Sequence, residues 1–176
     1  METTLLKPPR TGLEVFEMLP EGTSCQLIND NIIMSPAPTS SHQETIINIS
    51  TEIKIFLKKE NMGRLFISPI DVYLNETNVY QPDIVFILKE NEQIIEEKGI
   101  VGVPDLIIEV LSRKTAEYDK GEKKETYLKC GVKEYWIVDP KTKQCNGFKN
   151  ISEAFVDIGE YNGKIKFHLM NLVIKF

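Results

Sequence analysis

Apolar and polar positions follow two rhythms along this chain, and the change from one to the other marks its elements. Between Ser41 and Lys59 the residues Ile46, Ile49, Ile53 and Phe56 recur at the spacing of a helix with one buried stripe. Ser41 followed by Glu44 has the spelling of a capping box that opens this helix, and Gly63 lies beyond its end. Residues 65–74 and 79–88 read as strands, joined by the polar run Asn75-Glu76-Thr77-Asn78 into an antiparallel hairpin. Leu106–Leu111 is apolar on both faces, as a central strand covered on two sides would be. Lys114–Cys130 predicts a second helix stopped by Gly131, and Glu134–Val138 a further strand closed by Asp139-Pro140.

The flanks are more irregular. Residues 1–23 carry Pro8, Pro9, Pro20, Gly12 and Gly22 around a short amphipathic piece, and predict an N-terminal arm. Asn29-Asp30-Asn31 between two brief apolar runs predicts a hairpin over 24–34, and Ser35-Pro36-Ala37-Pro38 breaks the pattern after it. Residues 89–101 read as a charged connection. Residues 141–176 predict a C-terminal β extension with turns at Asn146-Gly147, Gly159-Glu160 and Asn162-Gly163. There is no internal repeat, and 176 residues predict one domain with enough core to fold without staples.

Composition narrows the function classes. The chain is 41% hydrophobic and 27% charged, ordinary for a globular protein, and no apolar run is long enough to span a bilayer. The N-terminus has no secretory pattern, so a cytoplasmic protein is expected. Cys25, Cys130 and Cys145 are odd in number and widely spaced, which excludes a disulfide framework or a zinc ribbon and leaves structural thiols. Net charge is −5, so any nucleic-acid binding has to be local. One segment is basic: Arg113, Lys114, Lys120, Lys123, Lys124, Lys129 and Lys133, interleaved with Glu117, Asp119, Glu122 and Glu125. The pattern also suits a solvated helix face.

The central strand holds the anomaly. Glu109 shares a face with Ile107 and Leu111, and a carboxylate buried there is costly unless a cation, a metal or hydrogen bonds compensate. Asp83 begins a neighbouring strand after Pro82. Asp119, Lys123 and Tyr127 recur every fourth residue on one face of the following helix. Two carboxylates and a lysine from adjoining elements are the minimum for metal-assisted phosphodiester hydrolysis with Mg²⁺ or Mn²⁺. Asp105 also faces the Glu109 side, but four strand residues separate them by about 13 Å, too far to share one ion.

Four ordered blocks carry a resemblance. Gln81-Pro-Asp-Ile-Val-Phe, Gly102-Val-Pro-Asp-Leu-Ile-Ile-Glu-Val-Leu-Ser-Arg, Tyr118-Asp-Lys-Gly-Glu-Lys-Lys-Glu-Thr-Tyr127 and Gly131-Val-Lys-Glu-Tyr-Trp-Ile-Val-Asp-Pro140 are similar to the Uma-two family, within the PD-(D/E)XK restriction-endonuclease-like superfamily. The resemblance implies an α+β (α/β) fold, a restriction-endonuclease-like mixed β-sheet flanked by helices, with extra β-hairpins. It implies a metal-dependent endonuclease acting on DNA, with Asp83, Glu109 and the Val110 carbonyl as metal ligands and a homodimer as the working form. The superfamily lysine two residues after the acid is here Leu111, and Lys123 occupies the lysine position of the helix block, with Lys120 and Lys124 close by.

Several residues carry two readings. Glu44 matches an acidic ligand on the first helix of some superfamily members and equally the capping box. His42 matches a recurrent family feature or is a satisfied core histidine. Asp71 is an accessory ligand or a solvated strand end, Asp119 and Lys123 form a site or a surface i,i+4 pair, and Tyr127 serves chemistry or packing. Trp136 belongs to core or interface. For the whole chain, the alternative to a nuclease is a catalytically inactive member of the fold that acts as a nucleic-acid-binding or protein-interaction module.

Overall fold

A computed structural model describes residues 8–112 and 116–176, without the Glu117 side chain. Arg113, Lys114 and the start of the second predicted helix lie outside the described residues. Helix α1 is Gly12–Glu17 and the predicted hairpin is β1, Cys25–Ile28, with β2, Asn31–Met34. Its two turn residues, Asn29 and Asp30, both have positive φ, which their short polar side chains tolerate. Helix α2 spans Ser40–Glu60, with Ile46, Ile49, Ile53 and Leu57 buried. Its cap differs from the expectation: Thr39 accepts from the His42 N–H at 3.4 Å. Ser41 lies inside the helix and Glu44 is exposed, so no capping box forms.

The antiparallel pairing predicted over 65–88 forms, but it is divided between two sheets. Strand β3, Gly63–Ile67, is followed by β4, Val72–Asn75, then β5, Asn78–Tyr80, and β6, Ile84–Leu88. β4 pairs with β5 in one sheet while β3 pairs with β6 in another. Pro69 and Pro82, which have no N–H to give a ladder, stand at the two breaks where the chain changes sheets. A 3₁₀ turn, Lys89–Ile94, leads to the short strands β7, Ile95–Glu96, and β8, Gly99–Val101. Strand β9, Leu106–Val110, is buried at every position, as its two-sided apolar pattern requires. Helices α3, Ala116–Lys120, and α4, Glu122–Cys130, replace the single predicted helix, because Gly121 departs from helical geometry between them. Gly131 ends α4 in a left-handed conformation, as expected.

Strand β10, Glu134–Val138, is followed by β11, Gln144–Ile151, β12, Ala154–Asn162, β13, Lys164–Phe167, and β14, Leu172–Lys175. Of the three turns predicted here, only Asn162-Gly163 is one. Gly147 lies within β11, opposite Trp136, and a Cβ on it would meet the indole ring at 2.5–2.7 Å. It is a packing glycine rather than a turn glycine. Gly159 lies within β12, and the β11–β12 turn uses Ser152 and Glu153, both at positive φ.

Two six-stranded sheets result, in the orders β2-β1-β5-β4-β8-β7 and β12-β11-β10-β9-β6-β3. One face of the second sheet packs Ile84, Ile108 and Trp136 against α2 and the β13–β14 ribbon. Its other face packs Val85, Ile107 and Tyr135 against α4 and the first sheet. Phe16 of α1 covers the far side of the first sheet with Cys25, Leu27 and Val79. The three cysteines are free. Among the described residues no helix is long and apolar enough to cross a membrane.

Candidate active site

Register builds the site. β6 runs antiparallel to β9 with Ile84 opposite Ile108, so the residue before Ile84 meets the residue after Ile108, which are Asp83 and Glu109. Asp83 Oδ2 accepts the Val110 N–H at 2.8 Å, which fixes this carboxylate against the end of β9. The face of β9 that carries Glu109 is covered by α4. There Lys123 Nζ donates to Glu109 Oε1 at 3.0 Å, and the Tyr127 hydroxyl donates to the same oxygen at 2.7 Å. Lys123 also reaches Asp119 Oδ1 at 3.1 Å. Glu109, Lys123 and Asp119 are 3%, 3% and 1% exposed, so this is a buried cluster and not a surface i,i+4 pair.

Charges in the cluster do not balance. Glu109 and Asp119 are two carboxylates against the single ammonium of Lys123, while Asp83 stands beside His42. Burial tends to deprotonate Lys123, but Glu109 and Asp119 outweigh it and push its pKa up, so the ammonium is retained. The deficit falls on Glu109. Burial, helped by the charges of Asp119 and Asp83, overrides Lys123 and the Tyr127 hydrogen bond and pushes its pKa up to about 8. Tyr127 is raised well above the ordinary phenol value by burial and by Glu109, and so keeps its proton for that bond.

His42, projecting from the first turn of α2, completes the other side. Its Nε2 lies 3.2 Å from Asp83 Oδ2. Burial works to lower its pKa, but the Asp83 bond and charge, with the Val110 carbonyl and Glu109, push it up. Its Nδ1 is buried and finds no hydrogen-bond partner among the described residues. His42 therefore stands within reach of Asp83 at the cavity lining.

Among the described residues both bonds to Asp83 use Oδ2 and both to Glu109 use Oε1, so Oδ1 and Oε2 are the oxygens a ligand would meet. Among the described residues no three His, Cys, Asp or Glu side chains are grouped to hold a metal by themselves. The donors are hard oxygens in a net negative site, which suits Mg²⁺ or Mn²⁺: Mg²⁺ takes one or two carboxylates and keeps several waters. The residues present fit such an ion. All of this opens on a cavity of about 890 Å³, lined by Asp83, Glu109, Lys123 and His42 among others.

Other candidates lie elsewhere. Asp71 accepts from Gln81 Nε2 at 2.8 Å and stays outside the Asp83–Glu109 pair. Glu44 is on the exposed side of α2. The three lysines are separated: Lys123 is inside, Lys120 lines the cavity mouth, and Lys124 lies over the Phe148 ring at 3.4 Å. Asp105 is bound at the opposite end of β9 by the Leu88 N–H, Asn91 and Lys133. Sequence reasoning missed the cavity wall formed by Gln26, Ser35 and Gln81. Gln26 and Gln81 stand at alternate-sheet positions with no periodic signal, and only Gln81, beside Pro82-Asp83, sat in a recognisable block.

The profile of the Uma2 family, described as "Putative restriction endonuclease", matches residues 13–161. The chain belongs to the Uma2 family. This Uma2 chain is also 22% identical over 152 residues to "Uncharacterized protein sll1609" of Synechocystis sp., covering 84% of this chain and 85% of that protein. Its fold is that of a crystal structure from Anabaena variabilis described as a putative nuclease belonging to DUF820, with TM-score 0.76, 21% identity and 95% of each chain covered. The restriction-endonuclease-like mixed sheet implied by the sequence blocks of this Uma2 member is thereby established as its architecture.

Proposed function

We propose that this protein is a Mg²⁺- or Mn²⁺-dependent nuclease that hydrolyses DNA phosphodiester bonds. The observation that carries the proposal is the meeting of Asp83 and Glu109 beside the Lys123 ammonium at the lining of a cleft, with Glu109 buried in the middle of a sheet where folding alone gains nothing from it. Asp83 Oδ1, Glu109 Oε2 and the Val110 carbonyl would hold the ion. Bound there, it supplies a Lewis acid and a water of lowered pKa. Glu109 and Asp119 hold the Lys123 ammonium from 3.0 and 3.1 Å, and Lys123 lines the cavity, where it would orient the attacking water or a phosphate oxygen. Tyr127 and His42 hold the two carboxylates in place from behind.

The test is calorimetric titration of Mn²⁺ into wild type and Glu109→Ala, with folding followed by circular dichroism and cleavage of plasmid and single-stranded DNA measured in parallel. Binding and metal-dependent cleavage in wild type, both lost in a folded variant, are the expected result. A folded wild type that binds no Mn²⁺, with or without DNA, overturns the proposal in favour of a non-catalytic interaction module.

A further inference from the structure

The cleft has two unlike walls. On one side Lys120 and Lys141, both exposed, stand at its mouth. The acid on that wall, Asp139, accepts hydrogen bonds from the Lys141 and Thr142 N–H groups, at 2.8 and 3.1 Å, and lies within the field of Lys120. Lys120 and Asp139 also line a second cavity of about 200 Å³, where Lys124 sits on Phe148, so the basic edge continues past the first cleft.

The opposite wall carries no cation among the described residues and consists of amides, hydroxyls and the Pro36-Ala37-Pro38 segment. Its amides are pinned. Gln26 Oε1 accepts the Gln81 N–H at 3.0 Å, and Gln26 Nε2 donates to Ser35 Oγ at 3.2 Å. Gln81 Nε2 donates to Asp71 Oδ1, which settles the orientation of its amide and leaves Oε1 as an acceptor. This assigns Asp71 a role: it positions Gln81.

We propose that the cleft takes an unpaired polynucleotide strand, its phosphates along the lysine wall and its bases against the amide and proline wall. The proposal rests on reading the cleft as the phosphodiester-cleaving site and names its substrate class. Three features exclude an intact duplex as the preferred ligand. The cavity, at about 890 Å³, has the volume of a small-ligand pocket, whereas a duplex offers its phosphates on a convex outer surface. Glu109 and Lys123 are each 3% exposed, so a phosphate has to descend to them, as a flexible strand can. Fixed neutral donors and acceptors suit base edges, and in a duplex the Watson–Crick edges are already occupied. Among the described residues few lysines line the cleft, consistent with a net charge of −5 and with affinity shared between charge and base contacts.

Fluorescence anisotropy without divalent metal tests this, using labelled DNA and RNA strands of about twelve nucleotides and their blunt duplexes. A single strand of either kind is expected to bind at least roughly tenfold tighter than its own duplex. Lys120→Ala and Lys141→Ala, at exposed positions, should each reduce the salt slope by about 0.7, the value for one phosphate neutralised on a single strand. Gln81→Met should weaken strand binding and leave that slope unchanged. Duplexes that bind as tightly as both strands, or lysine variants with the wild-type slope, overturn the inference. Mn²⁺ calorimetry on the same proteins separates the two failures. Metal binding with duplex cleavage but no strand preference leaves the nuclease standing and sinks this inference, and strand preference without metal binding does the reverse.

Discussion

Removing the acid and removing the base of the buried pair should have opposite effects on stability. Lys123→Met leaves Glu109 and Asp119 facing each other at 3% and 1% exposure with no cation between them. Breaking a buried ion pair by deleting one partner costs about 3–5 kcal/mol. For a chain of this size each kcal/mol moves Tm by roughly 2–4 °C, so the variant should melt about 6–20 °C below wild type. Glu109→Gln keeps an oxygen to accept from Lys123 and Tyr127 and removes one of the two carboxylates that share the single Lys123 ammonium. Without metal its Tm should therefore equal or exceed that of wild type. Mn²⁺ at about 100 times its dissociation constant adds about 2.7 kcal/mol, a rise of roughly 5–11 °C, in wild type but not in Glu109→Gln. Scanning calorimetry of the two single variants and the double variant, with and without Mn²⁺, measures every term, including the coupling. If Glu109→Gln loses as much stability as Lys123→Met in the absence of metal, the pair is an ordinary buried salt bridge and the charge-deficit argument fails.

Three further outcomes follow from the same structure. Glu109 has a folded pKa of about 8 against an ordinary 4.5, so the native state binds the extra proton between these values; metal-free stability should fall as pH rises through that window, and chemical denaturation of Glu109→Gln should show a flatter profile. Gly147→Ala drives a methyl group into Trp136 and should cost about 1–3 kcal/mol, seen as a shift in the urea midpoint with unchanged m-value. Asp71→Asn and Glu44→Gln, both outside the Asp83–Glu109 pair, should leave calorimetric Mn²⁺ affinity within about twofold of wild type, whereas Asp83→Asn should abolish binding.

Local pattern was enough to locate α2, β9, β10 and the stop at Gly131, because each rests on side-chain periodicity or on a single glycine conformation that neighbours in sequence determine. The same kind of signal exposed Glu109, since a charge in a two-sided apolar run is anomalous wherever the strand is placed. Partners across space were a different matter. Residues 65–74 do pair with 79–88, but two prolines divide that pairing between two sheets, and a strand pattern reads the same in either. Gly147 and Gly159 have the spelling of turns, and only the Trp136 ring above the first shows that it is needed for close packing. Glu44 kept two readings until Thr39 took the cap, and His42 kept two until its Nε2 stood beside Asp83. Residue types and spacing along the chain determined which chemistry was available. The register of β6 on β9, and the face that α4 lays over them, decided which groups meet, because charge compensation and ligation depend on distances of a few ångströms between segments far apart in sequence.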